Sequence, residues 1–296
     1  MKSVHKGLSA SRTSWPGSSA TSESASDSLR GVQLGGARVL VTGATGGIGD
    51  VIARALHARG ARVVLSGRRE HALDELARRL GGSAEVVVAD LAERDDPGRL
   101  AEAAGAVDVI VANAALPASG RVEDFTPEEI DRALDVNLRA PIQLTRALLP
   151  GMLARGRGHV VFVSSLSGKT GSPRSGIYSA TKFGLRGFAA GLREDVEAKG
   201  IGVTVVFPGF ISDAGFFADS GVRLPPWVGT RTAQQVAAAV VRGIEHERRE
   251  LDVAPLGLRI GTRLAELAPL TAARVQRRLG AERIADALAE AQRGKR

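Results

Sequence analysis

The sequence predicts an α/β protein with a doubly wound parallel sheet and helices on both faces. Three observations carry this expectation. From Ala37 onward, short β-branched runs alternate with stretches of helical periodicity. The strand runs are near-continuously apolar, as suits strands covered on both faces. The first strand passes into the first helix through a glycine-rich turn, Thr42-Gly43-Ala44-Thr45-Gly46-Gly47-Ile48-Gly49. Repeated β-α-β units with right-handed crossovers then generate the sheet.

The elements follow in order. Arg38–Val41 is the first strand. Gly47–Arg59 is a helix with Ile48, Ile52, Ala55 and Leu56 on one side. Arg62–Leu65 and Glu70–Leu80 are the second strand and helix, and Glu85–Val88 and Val107–Val111 are further strands. Thr126-Pro127-Glu128-Glu129 is a capping box with proline at the first helical position. It opens a long helix running towards Met152. His159–Ser164 is a strand, Gly176–Lys199 a helix and Val203–Phe207 a strand.

Composition narrows the function. The chain has 296 residues, 44% hydrophobic, enough for a sizeable core. Cysteine is absent, which excludes disulfides, thiol nucleophiles and cysteine-ligated metals and fits a reducing, cytoplasmic setting. His5, His57, His71, His159 and His246 form no ligand-type pair, so no metal site is expected. The net charge of +8 is spread along helices among acids, a solvated surface rather than a nucleic-acid footprint. No apolar stretch reaches the roughly 18–20 residues needed to span a bilayer. Residues 1–36 are rich in Ser, Thr and Gly and are expected to form a disordered tail. A targeting peptide is the alternative, although the tail has no apolar run and carries Glu23 and Asp27.

The glycine turn is the first functional signal. Gly43, Gly47 and Gly49 allow a tight turn and a close approach of backbone amides to a pyrophosphate, at a helix N-terminus. Its position between strand and helix is the context that such a motif needs. The second strand ends in Ser66-Gly67-Arg68-Arg69, with no acid to bind a ribose 2′-hydroxyl. Arg68 and Arg69 could instead pair with a 2′-phosphate. This favours NADP(H), with NAD(H) the alternative if the arginines merely open a solvated helix. Asp90, in Ala89-Asp90-Leu91, could accept a bond from an adenine amino group. Asn113-Ala114-Ala115 could line the adenosine ribose. Alone, each of these reads equally as a loop cap.

The second signal is Tyr178, the chain's one tyrosine, four residues before Lys182. On a helix the two share a face, where an ammonium lowers the pKa of a phenol and lets it trade a proton. Ser165 closes the preceding strand and can donate to a substrate oxygen. Asn137, an amide in the apolar Asp135-Val136-Asn137-Leu138, needs a partner; bending the helix and holding a water near Lys182 is one use.

With these residues in place, the chain resembles the short-chain dehydrogenase/reductase family, in its compact single-domain branch. The resemblance runs from about Ala37 to Val253, leaving a helical extension over 254–296. It implies a Rossmann-type fold and a catalytic tetrad of Asn137, Ser165, Tyr178 and Lys182. It implies cofactor contacts from Gly43, Thr45, Gly46, Gly47, Ile48, Arg68, Arg69, Asp90, Leu91, Asn113, Ala114, Tyr178, Lys182, Pro208, Gly209 and Ile211. The reaction implied is hydride transfer between a nicotinamide and a carbonyl or secondary alcohol, in a homodimer or homotetramer. Three positions depart from the family pattern: Ala115 where glycine is usual, Gly46 where many NADP users place a basic residue, and Asp213 where a threonine commonly meets the nicotinamide amide.

Two regions bear on the substrate. Phe210, Ile211, Phe216, Phe217, Val222, Leu224, Trp227 and Val228 follow Pro208-Gly209. The resemblance implies that this region forms a mobile lid over the substrate; so many large apolar groups suggest an apolar or lipid-like small-molecule substrate, or packing against a partner subunit or the body. Beyond Val253 the chain is rich in Leu, Ala and Arg with an excess of basic residues, which suits a packed tail helix or a peripheral membrane contact. A non-catalytic dinucleotide-binding regulator is the alternative function, and it predicts erosion of proton-transfer residues that are intact here. An epimerase or dehydratase is a third reading, disfavoured by the spacing of Gly43, Gly47 and Gly49.

Overall fold

The computed structural model describes residues 31–225 and 228–295. Its strands are β1 Arg38–Thr42, β2 Arg62–Gly67, β3 Glu85–Val88, β4 Val109–Ala112, β5 Gly158–Val163, β6 Ile201–Pro208 and β7 Glu250–Val253. They form one 7-stranded sheet in the order β3-β2-β1-β4-β5-β6-β7, with every pair parallel. The helices among them are α1 Gly47–His57, α2 Glu70–Arg79, α3 Asp96–Ala104, α4 Pro127–Leu134, α5 Ala140–Arg155, α6 Gly176–Val196, α7 Gly215–Ala218 and α8 Ala233–Glu245. Three more close the chain: α9 Leu256–Leu267, α10 Pro269–Arg278 and α11 Ala281–Gln292.

Alternation along the strands divides the core in two. Val39, Val41, Val63 and Leu65 face α1, α2 and α8, where Ile52, Leu56, Leu73, Leu76, Val236 and Val240 are buried. Leu40, Val64, Ile110 and Phe162 face the other side, against Leu100 of α3, Leu144 of α5 and Leu185 and Leu192 of α6. Each such side chain contributes about 1.5–3 kcal/mol by leaving water. The two layers therefore hold the sheet rigidly from both faces. The chain runs outward from β1 to β3 and then returns to β4 beside β1. Loops after β1 and β4 thus diverge and open a crevice at the C-terminal strand ends.

Thr126 forms the expected capping box, its side chain bonded to the Glu129 amide and the Glu129 carboxylate to the Thr126 amide. The long helix after it is not uninterrupted. A π-helical turn over Asp135–Arg139 separates α4 from α5. The sequence reading also passes over α3, α8 and β7, although Thr232 and Gln235 form a second capping box at the start of α8.

The tail boundary needs correction. Residues 1–30 lie outside the described residues, but 31–36 belong to the domain. Val32 and Leu34 are buried in the core cluster of α1 and α8. A Cβ on Gly31 would overlap the Ile244 and Glu245 backbone, so the chain lies tight against the end of α8. Trp227 of the apolar cluster after β6 is outside the described residues. Among the described residues, no helix is long and apolar enough to cross a membrane.

Candidate active site

The crevice holds a single cleft of about 1360 Å³. One end is the glycine turn. Gly43 has φ +65, and a Cβ there would sit 2.8 Å from the Ala114 Cα, so only glycine allows β1 and β4 to end this close together. A Cβ on Gly49 would fall 2.1 Å from the Gly43 carbonyl oxygen. No side chain caps the first turn of α1. The amides of that turn and the positive end of the helix thus face the cleft without a competing acceptor, which fits a phosphate group.

The loops are held by buried polar contacts. The Thr42 hydroxyl accepts from the amides of Asn113 and Ala114, both at 3.1 Å. The Asn113 side chain donates to the carbonyls of Thr42 at 3.1 Å and Gly43 at 3.2 Å. Asn113 therefore braces the glycine turn through its side-chain nitrogen, and with Ala114 and Ala115 it lines the cleft. Thr42 was not among the expected site residues. Its signal is a hydroxyl at the end of an otherwise apolar strand.

Arg68, Arg69, Asp90 and Leu91 line the same end. The Arg69 guanidinium donates to the Thr45 carbonyl at 2.7 Å, tying the end of β2 to the glycine turn. Arg68 stands 3.9 Å from the Asp90 carboxylate, and both side chains are exposed to solvent. Such a pair is worth no more than about 1 kcal/mol. Arg68 is therefore available to an anion, whereas Arg69 is already engaged.

The other end joins β5, α6 and the π turn. Ser165, Tyr178 and Lys182 all line the cleft. Lys182 is 2% exposed. Its ammonium donates to the Val163 carbonyl at 3.1 Å and lies 5.6 Å from the centre of the Tyr178 ring. Burial pushes the Lys182 ammonium down to about 8. Burial pushes the Tyr178 phenol up to about 12, against the opposing hydrogen bond with Ser165. Tyr178 is only half-buried by exposed area, so water in the cleft offsets part of that rise. Burial and the Ser165 hydrogen bond are the influences on the phenol here, and the expected lowering by Lys182 is not among them. The Ser165 hydroxyl also accepts from the Ser167 amide at 3.1 Å.

Asn137 is fully buried in the π turn. Its side-chain oxygen accepts from the Leu116 amide at 2.6 Å and its nitrogen donates to the Leu116 carbonyl at 2.9 Å. Asn137 was expected to bend the helix, and it sits in the π turn that interrupts it. Its amide also clasps the loop that follows β4, and so shapes the cleft wall.

After β6, the Gly209 amide donates to the Val253 carbonyl at 3.0 Å. Pro208, Gly209 and Ile211 line the cleft, and Ile211 bridges to Arg231. The Asp213 carboxylate accepts from the Ala233 amide at 2.9 Å, at the start of α8. That use explains an acid where a threonine was expected: it meets the positive end of α8. Phe210 and Phe217 pack with ring centres 5.1 Å apart at the cleft wall. Residues of α9, α10 and α11 complete that wall, a contribution the sequence reading did not anticipate.

Comparison with known proteins agrees with this geometry. The family profile described as short chain dehydrogenase matches residues 37–220. The chain is 35% identical over 227 residues to the ketoacyl reductase HetN of a Nostoc species, covering 74% of this chain and 79% of that one. A short-chain dehydrogenase structure from Streptomyces avermitilis superposes with a TM-score of 0.70 at 28% identity, over 83% of this chain and 97% of that one. A metagenomic short-chain oxidoreductase in complex with NADP gives 0.63 at 31% identity, over 75% and 97%. A parallel sheet crossed at its switch point by a glycine turn, in a chain so matched, is that of a nicotinamide-dependent oxidoreductase: the protein belongs to the short-chain dehydrogenase family.

Proposed function

We propose that this enzyme is an NADP(H)-dependent reductase of an apolar ketone, also able to run in reverse on the secondary alcohol, with Tyr178 as its acid and base. The observation that carries this reading is one cleft joining Arg68 and the glycine turn to Ser165, Tyr178 and Lys182. The kinship with a ketoacyl reductase and with an NADP-bound oxidoreductase supports it.

The cofactor's pyrophosphate rests on the amides around Gly46, Gly47 and Ile48, where no side chain competes. Arg68 meets the 2′-phosphate, and Arg69 braces the turn through Thr45. Asp90, Leu91 and Ala114 border the adenosine, and Pro208, Gly209 and Ile211 the far end. When bound, the nicotinamide supplies the hydride for reduction and accepts it in the reverse direction.

The chain's own residues manage the proton. Ser165 and Tyr178 donate hydrogen bonds to the substrate oxygen. The phenol is protonated at neutral pH and so can donate to that oxygen. As the oxygen gains electron density, Tyr178 transfers its proton to it. The phenolate that results is stabilised by the Lys182 ammonium on the same helix face. Asn137 holds the wall in place through Leu116 and is a positioning residue. Tyr178→Phe tests the assignment. It should retain NADPH binding and lose turnover by about 10²–10⁴-fold, the worth of a positioned acid. Turnover close to wild type on any verified ketone would overturn the role.

A further inference from the structure

We infer that α9, α10 and α11 form a receiving site for a long hydrocarbon chain carried by the substrate, continuous with the catalytic cleft. The inference rests on the ketone-reductase reading above and adds the substrate class to it.

The argument begins with an imbalance. These helices carry apolar residues at same-face spacing: Leu264 and Leu267 on α9, Val275 and Leu279 on α10, Ile284 and Leu288 on α11. Such stripes ordinarily pack against a core. Here they do not. The buried residues of the three helices are Thr262 and Ala265 on α9, none on α10, and Gln292 on α11. Leu264, Leu267, Val275 and Leu279 are each about half or more exposed, between 49% and 83%.

All six of those residues line the cleft that contains Ser165 and Tyr178. The apolar stripes therefore face a shared space rather than one another. The helices are fastened to the body by charge. Arg186 of α6 pairs with Glu266 of α9. Arg174, ahead of α6, pairs with Asp286 of α11 at 2.6 Å. The helices are thus anchored on the body while their apolar sides remain open. The cleft of about 1360 Å³ exceeds the roughly 300–1,000 Å³ of ordinary ligand pockets. It runs without a break from the glycine turn, past Ser165 and Tyr178, to the C-terminal helices. An apolar chain leading from the carbonyl would cover the exposed stripes. Continuity with the catalytic residues makes the substrate's own chain the occupant, in preference to a separate partner.

The test uses the full chain with NADPH and three methyl ketones: butanone, methyl hexyl ketone and methyl decyl ketone. A buried methylene is worth roughly fourfold in affinity, so kcat/KM should rise roughly a hundredfold or more from the shortest to the longest. Leu288→Asp, or Ala285→Trp to fill the space, should collapse that ratio towards one. Leu270 is 75% exposed and does not line the cleft, so Leu270→Asp should leave the ratio unchanged. Binding of dansyl-undecanoic acid, read by fluorescence without cofactor, should weaken at least roughly tenfold in Leu288→Asp and not in Leu270→Asp. A flat chain-length series overturns the inference. So does equal damage from Leu270→Asp, which would mark the helices as a docking face for a membrane or a second copy. If no ketone is reduced but the dansyl probe behaves as stated, the chain site stands and the redox reading fails.

Discussion

Replacing Arg68 with alanine should erase the proposed preference for NADPH over NADH. The size of the effect follows from what Arg68 does without ligand. Among the described residues its ion pair is with Asp90 at 3.9 Å, between side chains exposed to solvent. That pair is worth at most about 1 kcal/mol, so little is lost when Arg68 turns to a phosphate. A charge-assisted bond to the 2′-phosphate contributes about 1.5–3 kcal/mol. The difference is roughly ten- to a hundredfold in affinity. Arg69 cannot substitute fully, because it donates to the Thr45 carbonyl at 2.7 Å. Dissociation constants for NADPH and NADH, measured by quenching of intrinsic fluorescence, should favour NADPH in the wild type. Arg68→Ala should weaken NADPH by that factor and barely move NADH. The reverse swap belongs at Gly67, not Ser66. Ser66 is 1% exposed, whereas a Cβ on Gly67 meets the Thr45 hydroxyl at an ordinary 3.4 Å. Gly67→Asp should invert the preference by repelling the phosphate. Wild-type protein that binds NADH more tightly, or an Arg68→Ala variant that loses both cofactors equally, would refute the reasoning.

Three further outcomes follow from burial. Lys182 carries its charge below about 8 and loses it above, so kcat/KM for reduction should fall as pH rises through that value. Lys182→Arg, charged throughout, should move the fall upward, and a wild-type profile flat to pH 10 would exclude the ammonium's role. His159 is fully buried with Nε2 2.8 Å from the Thr204 hydroxyl, and burial holds it near 3, well below the unfolded 6.5. The unfolded chain thus binds the extra proton between those values, so this contribution is complete above 6.5 and is lost as pH falls towards 3. Urea unfolding should show roughly 2 kcal/mol less stability at pH 5 than at pH 7 from this group, a difference that His159→Gln removes. Leu34→Ala should lower stability by about 2–5 kcal/mol as a core truncation, where a dispensable tail predicts no change.

How much is legible in the sequence depends on how local the cause is. The β1–α1 turn is readable because glycines, strand and helix lie within one short segment. Thr126 announces α4 for the same reason. The box of Thr232 and Gln235 is an equally local signal for α8 that the sequence reading passes over. By contrast, β7 is Glu250-Leu251-Asp252-Val253, half charged, and reads as surface. It becomes a strand because Lys169 neutralises it, with its ammonium 2.9 Å from Glu250 and 2.7 Å from Asp252. That contact spans 83 positions and has no local signature. Asn113 is similar: its amide answers to carbonyls on β1, 70 and 71 residues away. The sequence shows an amide near a cofactor motif, and the backbone carbonyls that its nitrogen also braces lie too far along the chain to be read there. The extent of the C-terminal wall is hidden for the same reason, since amphipathic spacing states that a face is apolar but not what it faces.

The two sides of the cleft differ in how they are held, and the difference bears on what each can do. Chemistry needs reacting groups fixed within a fraction of an ångström, because a misplacement of about 1 Å can cost a hundredfold in rate. The sheet side meets that need. Asn113 and Asn137 each offer both a donor and an acceptor, and each closes on the backbone of a loop at the switch point. A carboxylate could only accept and an ammonium could only donate, so neither could grip both poles of a peptide unit as Asn137 grips Leu116. Shortening Asn137 to alanine would leave the Leu116 amide and carbonyl without their partner, at about 1–3 kcal/mol for a buried group. The wall would then relax and turnover would fall while the glycine turn and Arg68 kept their hold on the cofactor. The helical side needs no such precision. Ion pairs fasten α9 and α11 to the body, and the apolar side chains these helices present to the cleft have no directional bonds to satisfy. Non-directional contact tolerates chains of differing length and shape, where a hydrogen-bonded wall would reject them. On the proposed reading, the rigid side of the cleft would serve proton transfer, and the helical side would serve selection of the substrate.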